Sequence, residues 1–68
     1  MRTPVTSSNI VSIGYDVDTR ILEVEFNSGA VYQYSNVPED VYNELISASS
    51  IGAYFATSIK YVYYGKRV

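Results

Sequence analysis

The 68-residue chain contains no cysteine and no histidine. Without cysteine there is no disulfide and no thiolate metal site, and this usage fits a reducing, cytoplasmic setting. Without histidine, the commonest metal ligand and the usual general base near neutral pH are both missing. Neither a GxSxG elbow nor a GxxxxGK[S/T] phosphate loop occurs. No stretch approaches the roughly 20 apolar residues of a membrane-spanning helix, and Met1-Arg2-Thr3-Pro4 lacks the apolar run of a signal peptide. These absences point away from an enzyme, a bound cofactor and a membrane, and towards a soluble intracellular protein. The carboxylate pairs that remain have plainer roles. Asp16 and Asp18 suit a turn, and Glu23 and Glu25 suit the wet face of a strand.

The size allows one domain, spanning residues 1–68. A core this small rarely supplies more than about 3–5 kcal/mol. With no disulfide or thiolate site available, self-association is the expected reinforcement, so a homo-oligomer is expected. The net charge is only −2, but it is unevenly spread: all seven acids precede residue 45, while residues 45–68 carry Lys60, Lys66 and Arg67 and no acid. An acidic chain is poorly suited to duplex DNA, which needs many phosphate contacts. A local basic patch can still hold one or two phosphates.

What the chain has in quantity is tyrosine, eight in all. Tyr32 and Tyr34 are two apart, so on a strand they share one face. They form either the wall of a core or a platform for a ligand. If Val31 and Gln33 face the core, the tyrosines are free.

The residue pattern predicts an α+β fold. Residues 1–6 read as a leading arm, with Pro4 against regular structure. Ile10 to Asp16 is the first predicted strand, with Ile10, Ser12 and Gly14 alternating against Val11, Ile13 and Tyr15. Asp16 to Thr19 makes a turn. Ile21 to Phe26 is the second strand, apolar at Leu22, Val24 and Phe26. Asn27-Ser28-Gly29 closes a hairpin, with Gly29 at positive φ, and Ala30 to Ser35 is the third strand. Asn36 is the predicted cap of a first helix, with Pro38 and Glu39 in its first turn and Val41, Leu45 and Ala48 on one face. Ser49 or Ser50 caps a second helix to about Ile59, with Ile51, Phe55 and Ile59 aligned. Tyr61 to Tyr64 is a β-prone candidate for a last edge strand, and Gly65 to Val68 is expected to fray. The expected architecture is a meander of three or four antiparallel strands followed by two helices packed on one face.

The ordered set Ser8-Asn9-Ile10, Ile13-Gly14-Tyr15-Asp16, Leu22 to Phe26, Gly29, Tyr32-Gln33-Tyr34, Val37-Pro38, Val41-Tyr42, Leu45 and Ser50 to Phe55 with Ile59 resembles the KTSC domain family. That family is named for its place at the C-terminus of some lysyl-tRNA synthetases, and it also occurs as small stand-alone proteins in bacteria and their phages. The resemblance implies RNA binding as the suggested activity. Together with the residues, it leads to an expected function: non-catalytic recognition of a small nucleotide or of single-stranded RNA. A phage-type trap for a nucleotide immune signal is one form of this. The alternative is a protein-interaction module using the tyrosine-rich surface and an exposed strand edge.

The candidate ligand-binding residues are Ser8, Asn9, Tyr32, Tyr34, Gly52, Tyr54, Lys60 and Arg67. Aromatic rings on a sheet stack bases. Short polar side chains at Ser8 and Asn9 can read a ligand edge or cap a loop. Gly52, near a helix start, can either seat a phosphate or allow close packing, with Tyr54 in the same segment. Lys60 and Arg67 are the cations best placed to reach a phosphate.

Overall fold

The computed structural model describes residues 2–68. Five strands, β1 (Arg2–Pro4), β2 (Ile10–Asp16), β3 (Ile21–Phe26), β4 (Val31–Tyr34) and β5 (Gly65–Arg67), form one sheet in chain order, every neighbour antiparallel. Two helices, α1 (Glu39–Ser47) and α2 (Ile51–Ser58), lie between β4 and β5 in the chain. The architecture is the expected α+β meander with helices on one face, carried to five strands.

The central strands obey the alternation rule. Leu22 and Val24 are fully buried, while Glu23 and Glu25 point to the open face. β2 departs from strict alternation. Its register against β3 shifts between Ile10 and Ser12, so Val11 is an extra residue. This bulge lets both Ile10 and Ile13 enter the core, where each is 1% exposed, although they are three apart. The β2–β3 turn is held as the sequence implies: Asp16 Oδ1 accepts from the Asp18 N–H at 2.9 Å. Gly29 takes φ +89° in the β3–β4 hairpin.

On the helix face, Tyr15 stacks on Tyr42 with centroids 4.8 Å apart, and its hydroxyl donates to the Val37 carbonyl. Leu45 of α1 is buried, as are Phe55 of α2 and Ile59 just beyond it, four residues apart as expected. Ser50 caps α2, its Oγ accepting from the Ala53 N–H.

Three expectations need correction. Arg2 to Pro4 form a strand rather than an arm, because Pro4 lies on an outer strand where an absent N–H is tolerated; Met1 lies outside the described residues. Asn36 does not cap α1; it sits at φ +60°, and Pro38 occupies the cap position without a side-chain bond. Val37 is fully buried and its N–H donates to the Arg20 carbonyl, so the chain must dive into the core before the helix can begin. The last strand is Gly65–Arg67, a paired edge where a fraying end was expected, not Tyr61–Tyr64. The Val62 and Tyr63 N–H groups both turn back to the Ile59 carbonyl, prolonging the turn after α2. Gly65 then pairs opposite Tyr34, and a Cβ there would overlap Cε2, Cδ2 and Cζ of the Tyr34 ring.

The open face carries a polar row across all five strands: Arg2, Gly14, Glu23, Gln33 and Lys66 stand in successive register. Arg2 Nη1 reaches over the bare Gly14 to Glu23 Oε2 at 2.6 Å, and Gln33 Nε2 donates to Glu23 Oε1 at 2.9 Å. The Gln33 amide, then Arg2, hold the Glu23 carboxyl below its ordinary pKa despite partial burial. A depressed carboxylate contributes stability that is present above its unfolded value and lost as pH falls through the folded one. The urea midpoint of the wild type should therefore fall more steeply below about pH 4.3 than that of Glu23→Gln, read from denaturation curves at a series of pH values. Gly65→Ala should lose about 1–3 kcal/mol by overpacking against Tyr34, measured by urea unfolding.

Candidate functional site

Four aromatic rings meet where the helix face of the sheet runs under α2. Phe26 comes from β3, Tyr32 and Tyr34 from β4, and Phe55 from α2. Phe26 meets Tyr32 and Phe55 edge-on, with centroids at 5.9 and 5.5 Å. Tyr34 meets Phe55 edge-on at 5.4 Å and lies nearly parallel to Tyr32 at 6.3 Å. The rings close a cycle with favourable quadrupole geometry. Beside them opens a cleft of about 450 Å³, lined by these rings and by Asn9, Ala56, Lys60, Tyr61 and Gly65. This volume is within the usual range for small-molecule sites, about 300–1,000 Å³.

The polar groups of the cleft are few and converge on it. Asn9 contributes an amide at the mouth of β2, held by a bond from Ser7 Oγ to its Oδ1 at 3.2 Å. Lys60 contributes an ammonium, which lies over the Tyr61 ring at 5.3 Å from its centroid. Among the described residues, the Tyr34 hydroxyl makes no hydrogen bond, yet no buried side-chain polar atom lacks a partner. Solvent therefore reaches that hydroxyl, and it is free to bond a ligand. Burial raises its pKa, so it stays a donor across the neutral range. Aromatic faces, one amide, tyrosine hydroxyls and one cation can hold a planar ligand carrying negative charge. No histidine, cysteine or carboxylate among the described residues lines the cleft.

The structure brings four of the eight expected residues together here: Asn9, Tyr32, Tyr34 and Lys60. The other four lie outside. Ser8 is exposed, and its carbonyl accepts from Asn27 Nδ2 at 2.6 Å. Gly52 acts as a packing residue, since a Cβ there would lie 2.9 Å from Asn9 Oδ1 and 3.4 Å from Ser7 Oγ. It lets α2 press on the loop that positions Asn9. Tyr54 faces α1, its hydroxyl donating to Glu44 Oε1 at 3.0 Å. Arg67 stands opposite Tyr32 in the sheet but is exposed and does not line the cleft. Phe26, Phe55, Ala56, Tyr61 and Gly65 complete the wall and were not among the candidates: Phe26 and Phe55 at regular spacing read as core, Tyr61 as part of an edge strand and Gly65 as the start of a loose end.

A second depression, of about 340 Å³, lies on the open face around Arg2, Gly14, Asp16, Glu23 and Gln33. There Arg2, Glu23 and Gln33 already satisfy one another, so a ligand would have to break that row. The aromatic cleft imposes no such cost.

The two β4 tyrosines differ in burial. Tyr34 is 5% exposed, whereas Tyr32 is half-buried at the cleft wall. Tyr34→Ala should cost about 3–5 kcal/mol, like other large aromatic truncations in cores. Tyr32→Ala should cost less than half of that and leave a folded protein. Chemical unfolding of the two variants side by side checks this.

A family model for the KTSC domain matches residues 6–63. An uncharacterized protein of Stutzerimonas stutzeri (strain A1501) is 44% identical over 63 residues, 93% of this chain and 89% of the relative. Segments of lysine–tRNA ligases are also similar. That of Trichormus variabilis is 48% identical over 46 residues, which are 68% of this chain but 8% of the ligase. The crystal structure of a KTSC domain protein from Yersinia pestis superposes with a TM-score of 0.97 at 43% identity, covering 100% of this chain and 96% of that one. Sequence and fold agree across nearly the whole length: the chain belongs to the KTSC domain family.

Proposed function

We propose that the chain is a non-catalytic recognition module that binds a small nucleotide in the aromatic cleft. The observation that carries this reading is the junction of a four-ring wall with the Lys60 ammonium in one opening. Stacking on such rings contributes about 1–3 kcal/mol per base. A single lysine matches one phosphate group better than the long backbone of a duplex. The carboxylates of the first 44 residues also weigh against a long polyanion. That related segments occur in lysine–tRNA ligases is in keeping with a nucleotide or RNA ligand. A cleft lined without histidine, cysteine or carboxylate suits a stand-alone copy that holds or sequesters its ligand and leaves it intact.

A thermal-shift screen of mononucleotides, cyclic and linear dinucleotides and short single-stranded RNAs tests the proposal. A true ligand at about 100 times its Kd adds roughly 2.7 kcal/mol, which in a domain of this size raises Tm by on the order of 10 °C. Tyr32→Ala and Lys60→Ala should each remove most of that shift. No shift with any nucleotide or RNA, or a shift that survives both substitutions, would exclude the cleft as a nucleotide site.

A further inference from the structure

β5 ends the sheet, and two bonds fix which way its main chain faces. The Ser35 N–H donates to the Tyr64 carbonyl at 3.0 Å, and the Val68 N–H donates to the Val31 carbonyl at 2.9 Å. Between them Gly65, Lys66 and Arg67 pair with Tyr34, Gln33 and Tyr32 in unbroken register. Bonded and non-bonded pairs alternate in an antiparallel ladder. Tyr64, Lys66 and Val68 thus turn their main-chain groups towards β4, and Gly65 and Arg67 turn theirs outward. Two N–H and two C=O groups face the outer side at strand spacing, and among the described residues no further strand of the sheet lies beyond them.

The side chains along this edge have a pattern too. Residues directly opposite share a face, so Lys66 stands with Gln33 on the open face, flanked at two-residue steps by Tyr64 and Val68. These two are 73% and 59% exposed, and Tyr61 and Val62, on the turn leading in, are also exposed. The edge therefore shows an apolar, cationic, apolar stripe, with Arg67 on the other face. The opposite edge, β1, is blunted by Pro4, whereas β5 has neither proline nor bulge. Its two cations are its protection. They repel a second copy, because antiparallel pairing of β5 with β5 sets either Lys66 against Lys66 or Arg67 against Arg67, and pairing with β1 adds Arg2. Like charges across a ladder are destabilising, and opposite charges are favourable.

We infer that the β5 edge accepts an acidic, extended peptide as a sixth strand, with an apolar, acidic, apolar alternation set against Tyr64, Lys66 and Val68. Cations beside exposed tyrosines also attract nucleic acid, but a nucleic acid has no alternating main-chain donors and acceptors to match those of Gly65 and Arg67. This inference is independent of the cleft's ligand.

Fluorescence anisotropy with a labelled heptapeptide tests it, using valines either side of a central glutamate and threonines between. The control peptide carries lysine in place of the glutamate. Arg67→Pro removes an outward N–H that β4 does not use, and Arg67→Gln removes the charge alone; circular dichroism establishes that both keep the fold. The glutamate peptide should bind saturably and at least about tenfold more tightly than the lysine peptide. Lys66→Glu should reverse that preference, and Arg67→Pro should weaken binding well beyond Arg67→Gln. Equal binding of the two peptides, or equal affinity of the two Arg67 variants, overturns the inference. So does a short oligouridylate that displaces the peptide and binds both Arg67 variants alike, or a dimer in light scattering that Arg67→Pro dissolves.

Discussion

The Tyr34 ring lying on Gly65 is the contact on which the rest of the structure depends. It joins β4 to a strand of only three residues that returns after both helices, and such a strand has little pairing energy of its own. The ring covers the glycine, meets Phe55 of α2 edge-on and lies beside Tyr32. One side chain thus ties together the sheet, the second helix and the chain's final turn. In a small domain without disulfides, a large aromatic at such a junction supplies a substantial part of the available burial. The same ring forms the back wall of the aromatic cleft, so the stability of β5 and the shape of the cleft rest on one residue.

The two faces of the sheet divide the remaining work. The helix face is closed by apolar rows running from strand to strand, including Tyr15, Leu22, Tyr34 and Gly65 in successive register. On the open face Glu23 is taken up by Arg2 and Gln33, and Glu25 by Ser12 at 2.9 Å. This arrangement matters for electrostatics, since the acidic strand spends its charge on internal partners. The cations of the last segment, Lys60 at the cleft and Lys66 and Arg67 on the outer strand, remain directed at solvent. An unremarkable net charge therefore conceals a surface with distinct acidic and basic regions.

Much of this was legible in the residues. Alternation at Leu22, Val24 and Phe26 marks β3, the Ser50 cap and the spacing of Ile51, Phe55 and Ile59 mark α2, and Asp16 marks its turn. The departures share one cause, which is that each depends on a distant part of the chain. Val11 bulges so that Ile10 can meet Phe26. Asn36 misses its helix because Val37 is pulled into the core by Arg20 and Tyr15. Tyr61 to Tyr64 has strand-forming residues, yet the strand starts at Gly65, where the Tyr34 ring leaves room for nothing larger than hydrogen. In the cleft, Asn9, Tyr32, Tyr34 and Lys60 were visible by chemistry. Phe26 and Phe55 were hidden by it, because a buried wall and a binding wall use the same apolar side chains.

Local rules act over two to four residues, so the amino-acid sequence alone settled the three central strands, the two helices, which side of β3 is dry, and the absence of thiolate and imidazole groups. It also placed two tyrosines on one face of β4. Whether that face was core or platform depended on which way β4 docks against β3 and on what covers it, and those pairings join residues far apart in the chain. Tertiary packing put both on the helix face but at different depths: the Tyr34 ring is buried under α2 and against Gly65 with its hydroxyl edge at the cleft, while Tyr32, two residues away, stays half-open. The physical reason is that alternation fixes which side chains share a face, and only long-range closure of the sheet and helices decides how deeply each of them is buried.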